Sequence, residues 1–150
     1  MTERDLFRHA VATLAYRGGK AIRGAPDSFA AFDGAGKPPV EILAHIGDLL
    51  DWTLRMLSGS KDWKNSEPQG WDQESRRFYE RLAELDGLLA SDRALHAPIE
   101  RLFQGPIADA LTHVGQIAMM RRMAGSPMRG ENYFIAPIQA GRVGADQAAV

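Results

Sequence analysis

Gln104–Gly125, QGPIADALTHVGQIAMMRRMAG, reads as one helix with both ends marked. Gly105 stands where an N-cap would, and Pro106 suits the first helical position, where a missing N–H costs nothing. Gly125, followed by Ser126-Pro127, is a stop signal. Arg121 and Arg122 fall in the last turn, where cations complement the negative end of the macrodipole. Ile107, Leu111, Val114 and Ala118 form one apolar stripe, and Asp109, His113, Gln116 and Met120 form a second, nearly opposite. A helix built this way either exposes its second stripe or makes a site with it.

Upstream, Pro38-Pro39 opens a helix that runs to about Ser58 and is apolar over much of its girth. Ile42, His45, Leu49, Trp52 and Met56 make one stripe, and Leu43, Ile46, Leu50 and Leu57 another. The polar remainder is Glu41, Asp48, Asp51 and Arg55; Glu41 and Asp48, one turn either side of His45, read as a solvated face, or else as hydrogen-bond partners of a ligating His45. So apolar a helix belongs at the centre of a bundle. Gly59–Gly70 is a polar connector. Trp71 to Ala90 then repeats Trp71, Phe78, Leu82, Leu85 and Leu89 at threes and fours, as a bundle seam requires. The chain opens with a helix from a Thr2 cap, with Phe7, Ala10, Val11 and Leu14 inward and His9 outward. Gly18-Gly19 leaves open whether this helix stops there or reaches Ile22.

Arg23–Lys37 reads as a loop pinned by Phe29 and Phe32, long enough to border a site. Ser91–Phe103 is a break holding a helical turn or two. From Ser126 the chain is non-helical: Glu131–Ile138 is apolar enough to pack as an extended arm, and Gly141 onward is expected to fray. The expectation is an all-α, four-helix bundle in a single domain, residues 1–150, with the bundle over about 1–125 and the arm over 126–150.

Composition narrows the chemistry. The chain has 150 residues, 45% hydrophobic and 25% charged, as soluble globular domains do. Eighteen basic and nineteen acidic residues leave a net charge of −1, which offers no general field for nucleic acid or anionic membranes. There is no cysteine, so disulfides, thiolate metal sites and cysteine nucleophiles are excluded. No apolar run approaches the ~18 residues of a membrane span. The N-terminus, MTERDLFRHA, lacks the apolar core of a signal peptide, and a cytoplasmic protein is expected.

Asp109 and His113 are four apart and leave the same face of one helix, the spacing by which a helix gives two ligands to one ion. His45 is a third candidate. Two nitrogens and a carboxylate suit Zn²⁺, Ni²⁺ or Fe²⁺ and leave positions open for water or substrate. The plainer readings stand beside this one. Asp109 complements the start of its helix, His113 is a surface histidine paired with it, and His45 is a core histidine bonded to a backbone carbonyl. The tryptophans at 52, 63 and 71 and the methionines at 119, 120 and 123 read as packing residues.

The order of elements, with EILAHIGDLLDW at 41–52 and DALTHVGQIAMMRRMAG at 109–125, resembles the DinB-like superfamily of DinB, YfiT-like and thiol-dependent transferase proteins. The segment Thr112-His113-Val114-Gly115-Gln116-Ile117 with its following basic pair is the most specific part, and the tail around ENYF, 131–134, is similar to one branch. The resemblance implies an up-down-down-up bundle holding a divalent metal through three histidines. His45 matches the ligand on the second helix and His113 the last ligand. The middle position falls on Asp109, a departure that leaves a 2-His-1-carboxylate set. Family members that are enzymes use the metal to activate a low-molecular-weight thiol. The implied function is a metal-binding protein, a thiol-dependent transferase or hydrolase acting on a small electrophile. The alternative is a non-catalytic dimeric ligand-binding or stress-response bundle without metal. A small-molecule ligand is the expected partner, and a homodimer is expected through helix 2 or the arm.

Overall fold

The computed structural model describes residues 1–147. The last three positions of the expected arm, 148–150, lie outside the described residues. The first helix, α1, spans Glu3–Ile22 and starts at Thr2. The Thr2 hydroxyl accepts from the Asp5 amide at 3.1 Å, and the Asp5 carboxylate accepts from the Thr2 amide at 2.8 Å, closing a capping box. Gly18-Gly19 does not break the helix. A Cβ on Gly18 would lie 2.5 Å from Cζ of Phe78, and one on Gly19 2.7 Å from the Tyr79 hydroxyl. The pair is a notch into which the aromatic side chains of the third helix fit.

A 3-10 turn, Asp27–Ala31, follows and buries Phe29, which stacks on Phe32 at 6.4 Å and meets Trp71 edge-on at 5.5 Å. The expected pinning of this loop is therefore present. Helix α2 spans Pro39–Leu57, with Pro39 in its first turn, and α3 spans Trp71–Ala90. The Gly70 amide donates to Gln73 Oε1 at 2.7 Å, satisfying an orphan donor at the start of α3.

The last helix departs from its sequence reading at the N-terminal end. It begins as a single turn, α4, Ile99–Leu102, passes through a π-helical turn, Phe103–Ile107, and continues as α5, Ala108–Met123. Gly105-Pro106 is thus inside the helix and caps nothing. A widened turn re-routes amide hydrogen bonds, and Pro106 has no amide to lose. The C-terminal end is as expected. Gly125 has φ of 81°, and the amides of Ser126 and Gly125 donate to the carbonyls of Arg121 and Arg122 at 2.9 and 3.2 Å, a Schellman close.

Side-chain contacts fix the directions of the helices. Arg8 near the start of α1 pairs with Asp86 near the end of α3 at 2.9 Å, so these two run antiparallel. Arg77 meets Asp48 at 2.9 Å and Arg81 meets Asp51 at 2.6 Å, so α2 and α3 run parallel. Arg121, late in α5, donates to the carbonyls of Ala21 and Arg23 at 3.1 and 2.6 Å, so α5 runs parallel to α1. His45 faces Asp109 and His113, while Ile42, one turn earlier, shares a cavity with Met120, so α2 and α5 are antiparallel. The order is up-down-down-up, with α1 and α2 diagonal and each packed on α3 and α5. No strand occurs among the described residues.

The core runs through Leu14, Ile46, Leu50, Phe78, Leu82 and Ile117, all essentially inaccessible. Each contributes ~1.5–3 kcal/mol on burial. On α5 the buried face is Ala110, Val114, Ile117 and Met120, with Leu111 and Ala118 at its edge. Two charged residues, Asp48, read as solvated, and Arg121, read as a helix-end cation, are buried. Asp48 accepts from Arg77, the Ser66 amide and the Ser66 hydroxyl, at 2.9, 3.1 and 2.7 Å. Arg77 also bonds Glu74 at 2.8 Å and the Ala44 carbonyl at 2.7 Å, tying α2 to α3. Arg121 is 5% exposed and donates both to the carbonyls of Ala21 and Arg23 that end α1 and to the Ser126 carbonyl just past its own helix, at 2.9 Å.

The C-terminal arm docks by polar contacts as well as by Val143, Met128 and Ile138, which pack on the core. The Glu131 carboxylate accepts from the Tyr16 hydroxyl and the Lys20 ammonium, and Tyr133 lies under the Arg17 guanidinium at 4.0 Å. Phe134 and Ile135, expected to pack, point outward. The end of the described chain does not fray: Val143 and Gln147 are buried, and Gln147 Nε2 donates to the carbonyls of Arg142 and Gly144, both at 3.1 Å.

Candidate metal centre

The second stripe of α5 builds a site. His45, midway along α2, meets Asp109 and His113, one turn apart on α5. His45 Nε2 is 3.8 Å from Asp109 Oδ2, and His113 Nε2 is 3.5 Å from Asp109 Oδ1. The two imidazoles cross at 90° with centroids 4.8 Å apart. One ligand atom from each residue lies within 4.8 Å of the others. Two donors ~2.1 Å from a common tetrahedral ion sit ~3.4 Å apart. The two carboxylate-imidazole pairs are close to that spacing, and rotation of half-exposed side chains closes the remainder. The donor set therefore fits a divalent ion.

Surrounding groups prepare the nitrogens. His113 Nδ1 lies 2.7 Å from Gln116 Oε1. An amide oxygen only accepts, so Nδ1 carries the proton and Nε2 presents its lone pair to the site. Burial, and then the neighbouring His113, hold the His45 pKa below its ordinary 6.5, against the raising effects of Asp109 and Asp48. The neutral, ligating form is favoured. Trp63 packs edge-on to His45 at 5.7 Å and to Trp52 at 5.5 Å, shielding one side of the imidazole. Asp109 is the most open of the three, with 48% of its side chain exposed.

A cavity of about 450 Å³ adjoins the histidines. Ile42 and Met120 lie deep in it, Met119 and Met123 flank it, and Lys37, Glu41 and Gln116 supply polar groups. The 23–37 loop borders it through Ala35 and Lys37, as expected.

All three sequence candidates thus come together. Glu41 contributes to the cavity, whereas Asp48 belongs to the Arg77 network. His96 sits away from the site, its amide bonded to the Leu57 carbonyl at 3.2 Å at the far end of α2. Sequence reasoning missed two features. The methionines at 119 and 123, read as filling, are half exposed on the cavity wall. Their spacing of four, on a stripe that Gln116, Met119 and Met123 continue at threes and fours, was the available signal. Gln116, three residues after His113, carried the same signal for the imidazole's partner. Comparison with known protein families, with curated proteins and with solved structures returned no match. The site's own geometry carries the functional argument. No helix among the described residues is long and apolar enough to cross a membrane.

Proposed function

We propose that this chain is a DinB-like protein that binds one divalent metal ion through His45, Asp109 and His113. On that reading it acts on a small electrophile as a thiol-dependent transferase or hydrolase. The observation that carries the proposal is the convergence of three ligating atoms from two antiparallel helices beside an accessible cavity. Two imidazole nitrogens and one carboxylate suit Zn²⁺, Ni²⁺ or Fe²⁺. The set leaves one net positive charge on a divalent ion, which favours an anionic or readily deprotonated co-ligand. Bound there, the ion would supply Lewis acidity and lower the pKa of a thiol or water.

The chain's own residues have separable tasks. Gln116 holds the His113 tautomer. Trp63 limits water around His45. Lys37, at the cavity edge, is placed to attract an anionic group. Met119 and Met123 offer polarizable, adaptable contact area to an apolar portion of the substrate.

Metal content of untagged protein, purified without chelating resin, tests the proposal in wild type and His113→Ala. About one ion per chain in wild type and none in the variant supports it, with thiol-transfer assays next. Near-zero content in both after incubation with Zn²⁺, Ni²⁺ and Fe²⁺ overturns it. The cavity would then define a non-catalytic ligand-binding bundle.

A further inference from the structure

Three methionines of α5, Met119, Met120 and Met123, crowd one wall of the cavity beside the histidines. Met120 is 2% exposed, whereas Met119 and Met123 keep 51% and 49% of their surface open. The chain has six methionines and no cysteine, so half of its sulfur lies within the five residues 119–123. Leucine dominates the buried seams of α2 and α3; here each of the three positions is a thioether. Packing alone does not call for that. A flexible, unbranched side chain specifies a core poorly, and a half-exposed one fills no gap.

Spacing makes the three one group. At about 100° per residue, they fall within roughly 100° of the helix surface and span about 6 Å of its length. Met119 and Met123 are four apart and Met120 and Met123 three apart, the separations at which helical side chains meet. Met120 is held in the cavity wall, and the half-exposed Met119 and Met123 have room to rotate toward it. Ile42, in the same cavity, adds an apolar surface that limits water around the sulfurs. Seven residues separate His113 from Met120, about 10 Å along α5, so the thioethers form a group distinct from the histidine centre.

We propose that Met119, Met120 and Met123 form a second, soft metal site that takes one Cu(I) ion in a three-thioether set. Thioether sulfur is a soft ligand, and soft ligands select Cu(I). Three neutral sulfurs offset no charge, so a hard dication, costly to desolvate, gains little there and is left to the carboxylate and imidazoles. The inference stands independently of the divalent-metal reading. An ion held by these sulfurs covers the wall proposed to touch a substrate's apolar portion, so ion and substrate would bind in alternation.

Ag(I), a redox-inert stand-in for Cu(I), tests this on the full chain in chloride-free buffer. In protein carrying carbon-13 methionine methyls, one equivalent of Ag(I) is expected to move the resonances of Met119, Met120 and Met123. Those of Met1, Met56 and Met128 are expected to stay in place. Met119→Leu/Met123→Leu keeps side-chain volume while removing two sulfurs. It is expected to weaken Ag(I) at least ~30-fold in isothermal titration, with circular dichroism and zinc content unchanged. His113→Ala is expected to bind Ag(I) as wild type does, whatever it does to Zn²⁺, so the two centres stand or fall separately. A wild type whose methionine resonances do not move overturns the proposal. So does a double variant that binds Ag(I) within about two-fold of wild type, or a His113→Ala protein that no longer binds Ag(I).

Discussion

Replacing Gln116 by alanine removes the acceptor that holds His113 Nδ1–H at 2.7 Å. Nε2, the candidate ligand atom, is untouched, so on the proposed reading any change in metal affinity reports the outer hydrogen bond. Such partners typically matter 10- to 100-fold, or ~1.4–2.7 kcal/mol. Gln116 is exposed and water competes for Nδ1, which places the expected loss near the lower end, about 10-fold. Gln116→Glu offers a charged acceptor of similar length and is expected to raise affinity several-fold by making the imidazole more basic. Competition titration against a chromogenic chelator at pH 7.5 measures both, and apo-protein melting temperature controls for folding. Opposite signs for Ala and Glu are the signature of orientation through His113. A Gln116→Ala protein within two-fold of wild type, or a Glu variant weaker than the Ala variant, would refute the reasoning.

Gly18→Ala is expected to destabilise by a net ~1–2 kcal/mol, overpacking against Phe78 outweighing the gain in helix propensity. Gly87→Ala, whose Cβ meets nothing within 4 Å, is expected to stabilise by ~0.5–1 kcal/mol; urea denaturation decides both. Arg77→Met strands the buried carboxylates of Asp48 and Glu74 and is expected to cost ~3–5 kcal/mol, seen as a melting temperature some 6–20 °C lower. Burial raises the Tyr79 pKa above its ordinary 10.0. The folded state therefore keeps that proton longer than the unfolded state, and Tyr79 contributes stability below pH 10 that is lost as pH rises through the folded value. The difference between wild type and Tyr79→Phe in denaturation from pH 8 to 11 is expected to show this decline.

The bundle was legible because its signals are local and redundant. Thr2 and Asp5 cap α1, Pro39 opens α2, the Trp71–Leu89 seam repeats at bundle spacing, and Gly125 ends α5. The three candidate ligands were legible because helix spacing alone places Asp109 and His113 together, and because a histidine on an apolar stripe of α2 must face a neighbour. What was not legible depends on contacts between distant residues. Gly18-Gly19 leaves the end of α1 open until Phe78 and Tyr79 are seen against it. Asp48 reads as solvated until Arg77 reaches it from α3. Phe134 and Ile135 read as packing residues because composition does not reveal that Glu131 and Tyr133 take the inward positions of the arm. The start of the last helix was misplaced because Gly105-Pro106 is a sound N-terminal signal locally, and nothing in it shows that the helical turn expected before it runs on through a π turn.

The π-helical turn at Phe103–Ile107 also bears on how such a site is gained or lost. A π turn holds one residue more than a regular helix can accommodate, and each residue in a helix accounts for about 100° of rotation. Upstream of it, Leu102 is locked into the core; downstream, Asp109 and His113 face α2. Were the turn to close up as ordinary helix with all its residues kept, everything beyond it would swing by about 100° relative to Leu102, with the carboxylate and imidazole turned away from His45. Removing a single codon at Gly105 would instead let the turn relax to ordinary helix with Asp109 and His113 still facing α2, because the widened turn absorbs its extra residue locally. The candidate site thus depends on the shape of this turn as much as on the residues that it carries.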